Sequence, residues 1–154
     1  MIVEAKIEIA GSRTAVWARI TDIVNAKEFI TGIEGIEVVE RPSDGFTGFR
    51  WRETRMYFGK PATVEKWVTD SAENEFYETK AEMDGFVFVT TMRVSENSSG
   101  GTTLTSSHDS IPQGLVSRIK SLPMFLFKGV IRKALMQDLN DVKAAVEQET
   151  AVAV

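Results

Sequence analysis

The first residues of the chain alternate between polar and apolar positions, and the period then changes. Ile7 and Ile9 alternate with Lys6 and Glu8, which is the period of two that places one face of a β-strand against a core. Apolar residues after Ser12, among them Trp17, instead fall at helical spacing. Ser12 has the hydroxyl of a helix N-cap. The pattern predicts a strand that leads directly into a short helix, with its tryptophan in the core.

A second short helix and a long run of strands follow. Asn25 and Glu28 have the spacing of a capping box before the apolar pair Phe29 and Ile30. From there to about residue 108 the chain consists of alternating segments and turn residues, including the hairpin dipeptide Asp84-Gly85. The pattern predicts one N-terminal strand, two short helices and about six further strands.

The last third of the chain has helical periodicity. Pro123 must end or kink any helix that passes through it. Downstream of Pro123 one apolar stripe continues to the end of a long predicted helix, and we expect it to face the sheet. Its members are Ile131, Leu135, Leu139, Val142 and Val146. The opposite, solvated face is predicted to carry Lys128, Arg132, Lys133, Asp138, Asp141 and Lys143.

A sheet that buries one face needs a cover, and the long helix is the candidate, which predicts an α+β arrangement. This order of elements resembles the helix-grip fold of the START/Bet v 1 superfamily, in its SRPBCC or polyketide cyclase/dehydrase-like branch. The similar segments are IEIAGSRTAVWARITDI, GFRWRETRMYFGKPATVEKWVTD and FKGVIRKALMQDLNDVKAAVE. The resemblance implies a curved antiparallel sheet of six to seven strands around the C-terminal helix. It predicts a single domain over residues 1–149, followed by a loose tail over 150–154.

Composition excludes several classes of function. The chain has 154 residues and a formal net charge of -4, which argues against nucleic acid as a partner because phosphate binding relies on clustered Lys and Arg. It has no cysteine and one histidine, and it shows no cluster of metal ligands, so neither a metal nor a cofactor is predicted. No signal peptide and no apolar run of about 20 residues is found. We therefore expect a soluble cytoplasmic domain that forms a monomer or a weak homodimer.

Candidate chemistry lies on the two strands that flank the MYFGKP turn. If these strands share one phase, two tryptophans, two carboxylates and a guanidinium point into the concave side of the sheet. These residues are Trp51, Glu53, Arg55, Glu65 and Trp67. The alternative is an exposed ionic network with both tryptophans on the outer face, because a slip of one residue reverses every side chain.

Other strands and the long helix supply a predicted apolar lining. The resemblance implies a cavity of ligand size between sheet and helix, open near Pro123 and the short helices. Alternation and helical spacing place further residues toward it. The predicted ligand-binding residues are Phe49, Trp51, Trp67, Tyr77, Met83, Phe88, Thr90, Met92, Leu104, His108, Met124, Phe127 and Ile131.

Three functional classes are compatible with these residues. The first is binding or carriage of a small hydrophobic molecule, such as a lipid or a polyketide-like metabolite, and this is the one we favour. The second is a cyclase or dehydratase in which Glu53 or Glu65 acts as general base and Arg55 stabilises an enolate. The third is a protein-interaction module that uses its outer face. The basic and aromatic stretch MFLFKGVIRK would also suit a membrane-surface helix, but burial of its apolar stripe on the sheet is the preferred interpretation, and no stable membrane insertion is expected.

Overall fold

The computed structural model describes residues 1–152, apart from the side chains of residues 120–122. The strands are β1 Ile2–Ile9, β2 Ile33–Glu40, β3 Arg50–Tyr57, β4 Lys60–Ala72, β5 Phe76–Met83, β6 Phe86–Glu96 and β7 Thr102–Pro112. The helices are α1 Arg13–Ile20, α2 Ala26–Phe29, α3 Gly114–Ser121 and α4 Lys128–Val152, with a 3₁₀ helix at Leu122–Phe127 between the last two.

The seven strands form one antiparallel sheet in the order β1-β7-β6-β5-β4-β3-β2. Consecutive strands from β2 to β7 are neighbours, and β1 closes the order beside β7. The two short helices follow β1 directly, and α4 packs mainly against β1. This arrangement confirms the predicted helix-grip fold, with its curved sheet around the C-terminal helix.

The ends of the short helices differ in how their caps are made. The Ser12 hydroxyl accepts a hydrogen bond from the Ala15 amide at 3.1 Å, so Ser12 caps α1 as predicted. The predicted capping box at Asn25 is wrong. The Asn25 side chain makes no capping bond and donates its amide to Asp22 at 3.0 Å instead. Asn25 also lacks the extended backbone from which an N-cap oxygen accepts an amide of the first turn, since its φ is -100° and its ψ is 6°.

The apolar core occupies one end of the concave face. There α1, α2 and α4 from Leu135 onward meet the sheet, and Leu139, Val142 and Val146 are buried. Leu135 is half-buried and packs against the same core. Trp17 belongs to this cluster, as predicted. The apolar stripe of α4 therefore faces the core from Leu135 to Val146.

The chain is broken before α4. The 3₁₀ helix that contains Pro123 separates α3 from α4, which agrees with the break expected there.

The C-terminal end of α4 differs from the prediction. Helix α4 continues to Val152, and the Thr150 hydroxyl donates to the Val146 carbonyl at 3.0 Å. Residues 150–152 are thus helical rather than a loose tail, because their side chains and backbone continue the bonding of the helix. The remaining predicted tail, residues 153–154, lies outside the described residues.

Candidate functional site

The turn between β3 and β4 decides which side chains face inward. Phe58 and Gly59 both have positive φ values, of 49° and 79°, as a two-residue type I′ turn requires. The register that follows pairs Trp51 with Lys66 and Glu53 with Val64. The predicted register differs by one residue, and such a shift moves a whole strand to the opposite face.

The prediction that Glu65 and Trp67 face the cavity is therefore wrong. Both lie on the outer face, where Glu65 pairs across the sheet with Arg52, and Trp67 with Arg50. Arg50 donates to Glu65 at 2.9 Å, and its guanidinium lies 4.6 Å from the centre of the Trp67 ring. The stacked guanidinium covers the tryptophan, which removes the reason for placing that ring inside.

Glu53 is the centre of a buried ionic network on the inner face of β3. Its carboxylate accepts from Arg55 Nε at 2.5 Å, from Lys66 Nζ at 2.9 Å and from Trp51 Nε1 at 3.1 Å. The side chain of Glu53 is 6% exposed. Trp51, Glu53 and Arg55 thus share the inner face as predicted, and Lys66 takes the place that was predicted for Glu65.

Helix α4 completes this network. Arg55 donates two hydrogen bonds to the Asp138 carboxylate, at 2.9 and 3.1 Å. A side chain at Gly32 would come within 2.9 Å of Arg55 Nη1, so glycine leaves room for the guanidinium. The prediction that Asp138 belongs to the solvated face is wrong, because the residue ties the helix to the sheet. Its position three residues after Leu135, on the apolar stripe, is the signal that could have identified it.

The network fixes the protonation of Glu53. Burial raises the pKa of this carboxyl, but the charges of Lys66 and Arg55 outweigh burial and lower the pKa to about 2. The pKa of Arg55 is raised well above its ordinary value, since Glu53 and Asp138 outweigh the opposing effect of burial. Three ion pairs link the four groups, namely Glu53 with Arg55, Glu53 with Lys66 and Arg55 with Asp138.

The end of the concave face away from the core carries a different set of side chains. The strand register places Lys66, Ala81, Phe88 and Ser110 in one row across four strands. The next row contains Thr79, Thr90 and His108. Among these residues Lys66, Phe88, Thr90 and His108 are only half-buried, although all of them point to the concave side. We call this region the open half of the concave face.

Two polar groups lie beside Phe88 in the open half. His108 stacks on the Phe88 ring, with 5.6 Å between ring centres, and its Nδ1 lies 2.9 Å from the Thr90 hydroxyl. Burial and the charge of Lys66 lower the pKa of His108, so the imidazole is neutral at physiological pH. The Ser110 hydroxyl is buried and has no hydrogen-bond partner among the described residues. Most buried polar groups in proteins have a hydrogen-bond partner, so this hydroxyl is an exception.

The remaining predicted lining residues divide between sealed core and exposed positions. Phe49, Tyr77 and Leu104 are buried in the core, and Met92 packs against it. The Tyr77 hydroxyl donates to the Ile20 carbonyl at 3.2 Å. Exposed or half-buried positions are occupied by Met83, Met124, Phe127 and Ile131. Of the predicted lining on the strands, Phe88, Thr90 and His108 in the open half are half-buried, whereas Phe49, Tyr77 and Leu104 are sealed in the core.

Recesses are present at two places on the described surface. One, of about 440 Å³, lies at the β5–β6 turn beside Met83, Phe86 and Gln113. The other, of about 490 Å³, lies between Phe29 and the end of α4. Neither is the cavity predicted between sheet and helix, which was expected to open near Pro123 and the short helices. Residues 1–152, apart from the side chains of 120–122, contain no group of three or more His, Asp or Glu residues that could hold a metal ion.

Comparison with known families identifies the chain. The family model described as "Polyketide cyclase / dehydrase and lipid transport" matches residues 1–147. The chain belongs to this family. Membership in the polyketide cyclase/dehydrase and lipid transport family confirms the resemblance seen in the sequence. Together with the fold, it suggests hydrophobic ligand binding or cyclase activity.

Solved structures agree with this fold. The Zhui aromatase/cyclase from Streptomyces sp. R1128 superposes with a TM-score of 0.80 at 17% identity, over 97% of this chain and 95% of that one. A START superfamily protein from Mycobacterium smegmatis superposes with a TM-score of 0.79 at 19% identity, over 96% of this chain and 97% of that one. TTHA0849 from Thermus thermophilus superposes with a TM-score of 0.79 at 17% identity, over 97% of this chain and 99% of that one. No functionally curated protein matches the chain.

Proposed function

We propose that the protein binds or carries a small hydrophobic molecule that has one hydroxyl or carbonyl group, and that the molecule occupies the open half of the concave face. The observation that carries this proposal is the half-buried Phe88, which is flanked on one concave surface by His108 and Ser110. Ligand sites are typically apolar surfaces with a few placed polar groups. The protein is expected to act in the cytoplasm as a monomer or a weak homodimer.

The side chains of the open half would contribute differently to ligand binding. Phe88 and Ala81 are adjacent across the strands and provide apolar surface, from which most of the affinity would come. The Ser110 hydroxyl, which has no partner among the described residues, is available to a polar atom of the ligand. Lys66 adds a positive charge beside Phe88 and Ala81, although one of its three N–H groups already donates a hydrogen bond to Glu53. These groups favour a neutral ligand or a weakly acidic one.

The geometry does not favour catalysis by a pocket carboxylate. A general base works best when its pKa is near the operating pH, whereas the pKa of Glu53 is lowered to about 2. Glu65 lies on the outer face, so it cannot share a pocket with Glu53. Arg55 is already bonded to both Glu53 and Asp138, which leaves it poorly placed to stabilise an enolate. Binding is therefore preferred to the cyclase alternative.

Titration with the uncharged fluorescent probe diphenylhexatriene tests the proposal. Wild-type protein should bind the probe with low-micromolar affinity, and Phe88→Ala should weaken the affinity about tenfold, equivalent to ~1.4 kcal/mol of lost apolar contact. Val89→Ala is the matched control, because Val89 is next in the same strand and points to the opposite face. The affinity of Val89→Ala for the probe should remain within about twofold of that of the wild type.

Two results of the probe titration would contradict the proposed function. Absence of probe binding to the wild type would reject the binding function. Equal losses in Phe88→Ala and Val89→Ala would show that the probe does not use the concave face. Native mass spectrometry of the purified protein should in addition reveal a retained small molecule that Phe88→Ala retains less.

A further inference from the structure

Exposed apolar side chains are concentrated in the segment that joins the sheet to α4. Among the described residues, seven of the sixteen large apolar side chains that are exposed lie between residues 115 and 130. Leu115 is 78% exposed, Phe125 67% and Leu126 69%. The complete set is Leu115, Val116, Ile119, Phe125, Leu126, Phe127 and Val130. We call residues 114–133 the basic apolar segment. The expectation that MFLFKGVIRK buries its apolar stripe on the sheet is wrong for Phe125, Leu126, Phe127 and Val130, because α4 meets the core only from Leu135 onward.

The same segment carries a charge opposite to that of the rest of the protein. Residues 113–137 include five Lys or Arg and no Asp or Glu. The whole chain has 18 basic and 22 acidic residues, so the remainder has 13 basic and 22 acidic residues, a formal charge of -9. Basic and apolar residues are thus concentrated together in a protein that is otherwise acidic. A partner for this segment must offer both apolar material and negative charge.

Local geometry brings the two kinds of side chain together. Val130 and Lys133 are three residues apart in α4 and therefore neighbours on one helix face. That face is opposite the one that carries Leu135, which packs on the core. Lys128 and Arg132 are exposed in the same two turns. Before them, the exposed Phe125 and Leu126 belong to the 3₁₀ helix. This combination of exposed aromatic, aliphatic and basic residues is typical of segments that lie in a membrane interface.

We propose that the basic apolar segment docks the protein on the surface of an anionic lipid bilayer. The apolar side chains would enter the interface between headgroups and acyl chains, and the basic residues would contact anionic headgroups. No helix in residues 1–152 is long and apolar enough to cross a membrane, so the contact is interfacial. A second copy of the chain fits less well, because a symmetric dimer through this segment would bring its basic residues together.

This docking does not depend on the proposed ligand site. The basic apolar segment does not include Phe88, Ser110 or His108, so protein that has lost probe binding should still bind vesicles. Phe88→Ala serves as this check. It should reduce binding of diphenylhexatriene while its vesicle binding stays at the wild-type level, and the two proposals can therefore fail separately.

Vesicle sedimentation tests the docking. Wild-type protein is mixed with vesicles of pure phosphatidylcholine, or of phosphatidylcholine with about a third phosphatidylserine, at low and at physiological salt. We expect binding to the anionic vesicles, weakened by salt, and little binding to the neutral ones. Leu126→Asp should lower the partition coefficient at least about tenfold, since it removes an inserted side chain and adds a like charge. The control Phe58→Asp changes a side chain that is 89% exposed at the β3–β4 turn, and it should bind as wild type does.

A second pair of variants tests the charges. The triple change Lys128→Gln, Arg132→Gln and Lys133→Gln should reduce binding to anionic vesicles on the order of 100-fold. A triple change of exposed lysines elsewhere should reduce it far less, and this control consists of Lys6→Gln, Lys27→Gln and Lys60→Gln.

Three results would overturn the docking proposal. They are equal binding to neutral and anionic vesicles, equal losses in the two triple variants, and a concentration-dependent dimer in sedimentation velocity that Leu126→Asp dissociates while vesicle binding is absent. The last result would assign the surface to a second copy of the chain.

Discussion

Replacing Glu53 by glutamine should reveal how much the buried ionic network stabilises the fold. The variant keeps the shape of the side chain but removes the negative charge that faces Arg55 and Lys66. Folding lowers the pKa of this carboxyl from 4.5 to about 2. A difference of one pKa unit corresponds to about 1.4 kcal/mol, so the ionised carboxylate contributes about 3 kcal/mol to the free energy of unfolding. Because the side chain is almost fully buried, solvent screens this contribution little.

The sign of the pH dependence follows from the direction of the shift. A carboxyl whose pKa is depressed in the folded state stabilises the fold above its unfolded pKa, and it loses that contribution as the pH falls through the folded pKa. For Glu53 the window therefore extends from about pH 4.5 down to about pH 2. Wild-type protein should be more stable than Glu53→Gln by about 3 kcal/mol at neutral pH, and the difference should shrink across this window.

Urea unfolding followed by tryptophan fluorescence, at a series of pH values, measures this difference. Glu65→Gln is the matched control, because Glu65 pairs with Arg50 and Arg52 on the outer face. Exposed ion pairs contribute about 0–1 kcal/mol, so this variant should unfold close to wild type. If Glu53→Gln were as stable as wild type, or if the two variants lost the same amount, the buried network would not have the energetic role inferred from its geometry.

Two further variants test the packing. Leu139→Ala should destabilise the protein by about 2–5 kcal/mol, since Leu139 is almost fully buried between α4 and the sheet; an effect near zero in urea unfolding would mean that the helix does not grip the sheet. Gly85→Ala and Gly59→Ala form a matched pair with the same φ of 79°, and each should lose about 1 kcal/mol from backbone strain. Gly85→Ala should lose clearly more in thermal unfolding, because its Cβ would collide with Ser117 Oγ whereas Gly59 has open space. Equal losses would show that α3 does not pack on the β5–β6 turn.

The sequence by itself determined the elements and their order. Alternation at Ile7 and Ile9 predicted β1, the Ser12 hydroxyl predicted the start of α1, and the Asp84-Gly85 dipeptide predicted the β5–β6 turn. These features are local, because they depend on side-chain periodicity and on backbone preferences within a few residues. The apolar stripe that contains Leu139 also predicted which face of α4 meets the sheet.

The candidate site was decided by contacts between distant parts of the chain. A one-residue difference in register placed Lys66 rather than Glu65 beside Glu53, and alternation alone cannot fix register because both phases of β4 contain large side chains. Asp138 became part of the site only because the Arg55 side chain reaches from β3 to α4, a contact between residues 83 positions apart. Whether an apolar stripe is buried also depends on what lies opposite it. Helix α4 meets the core from Leu135 onward, whereas Phe125 and Leu126 remain exposed, and the sequence pattern alone did not separate the two cases.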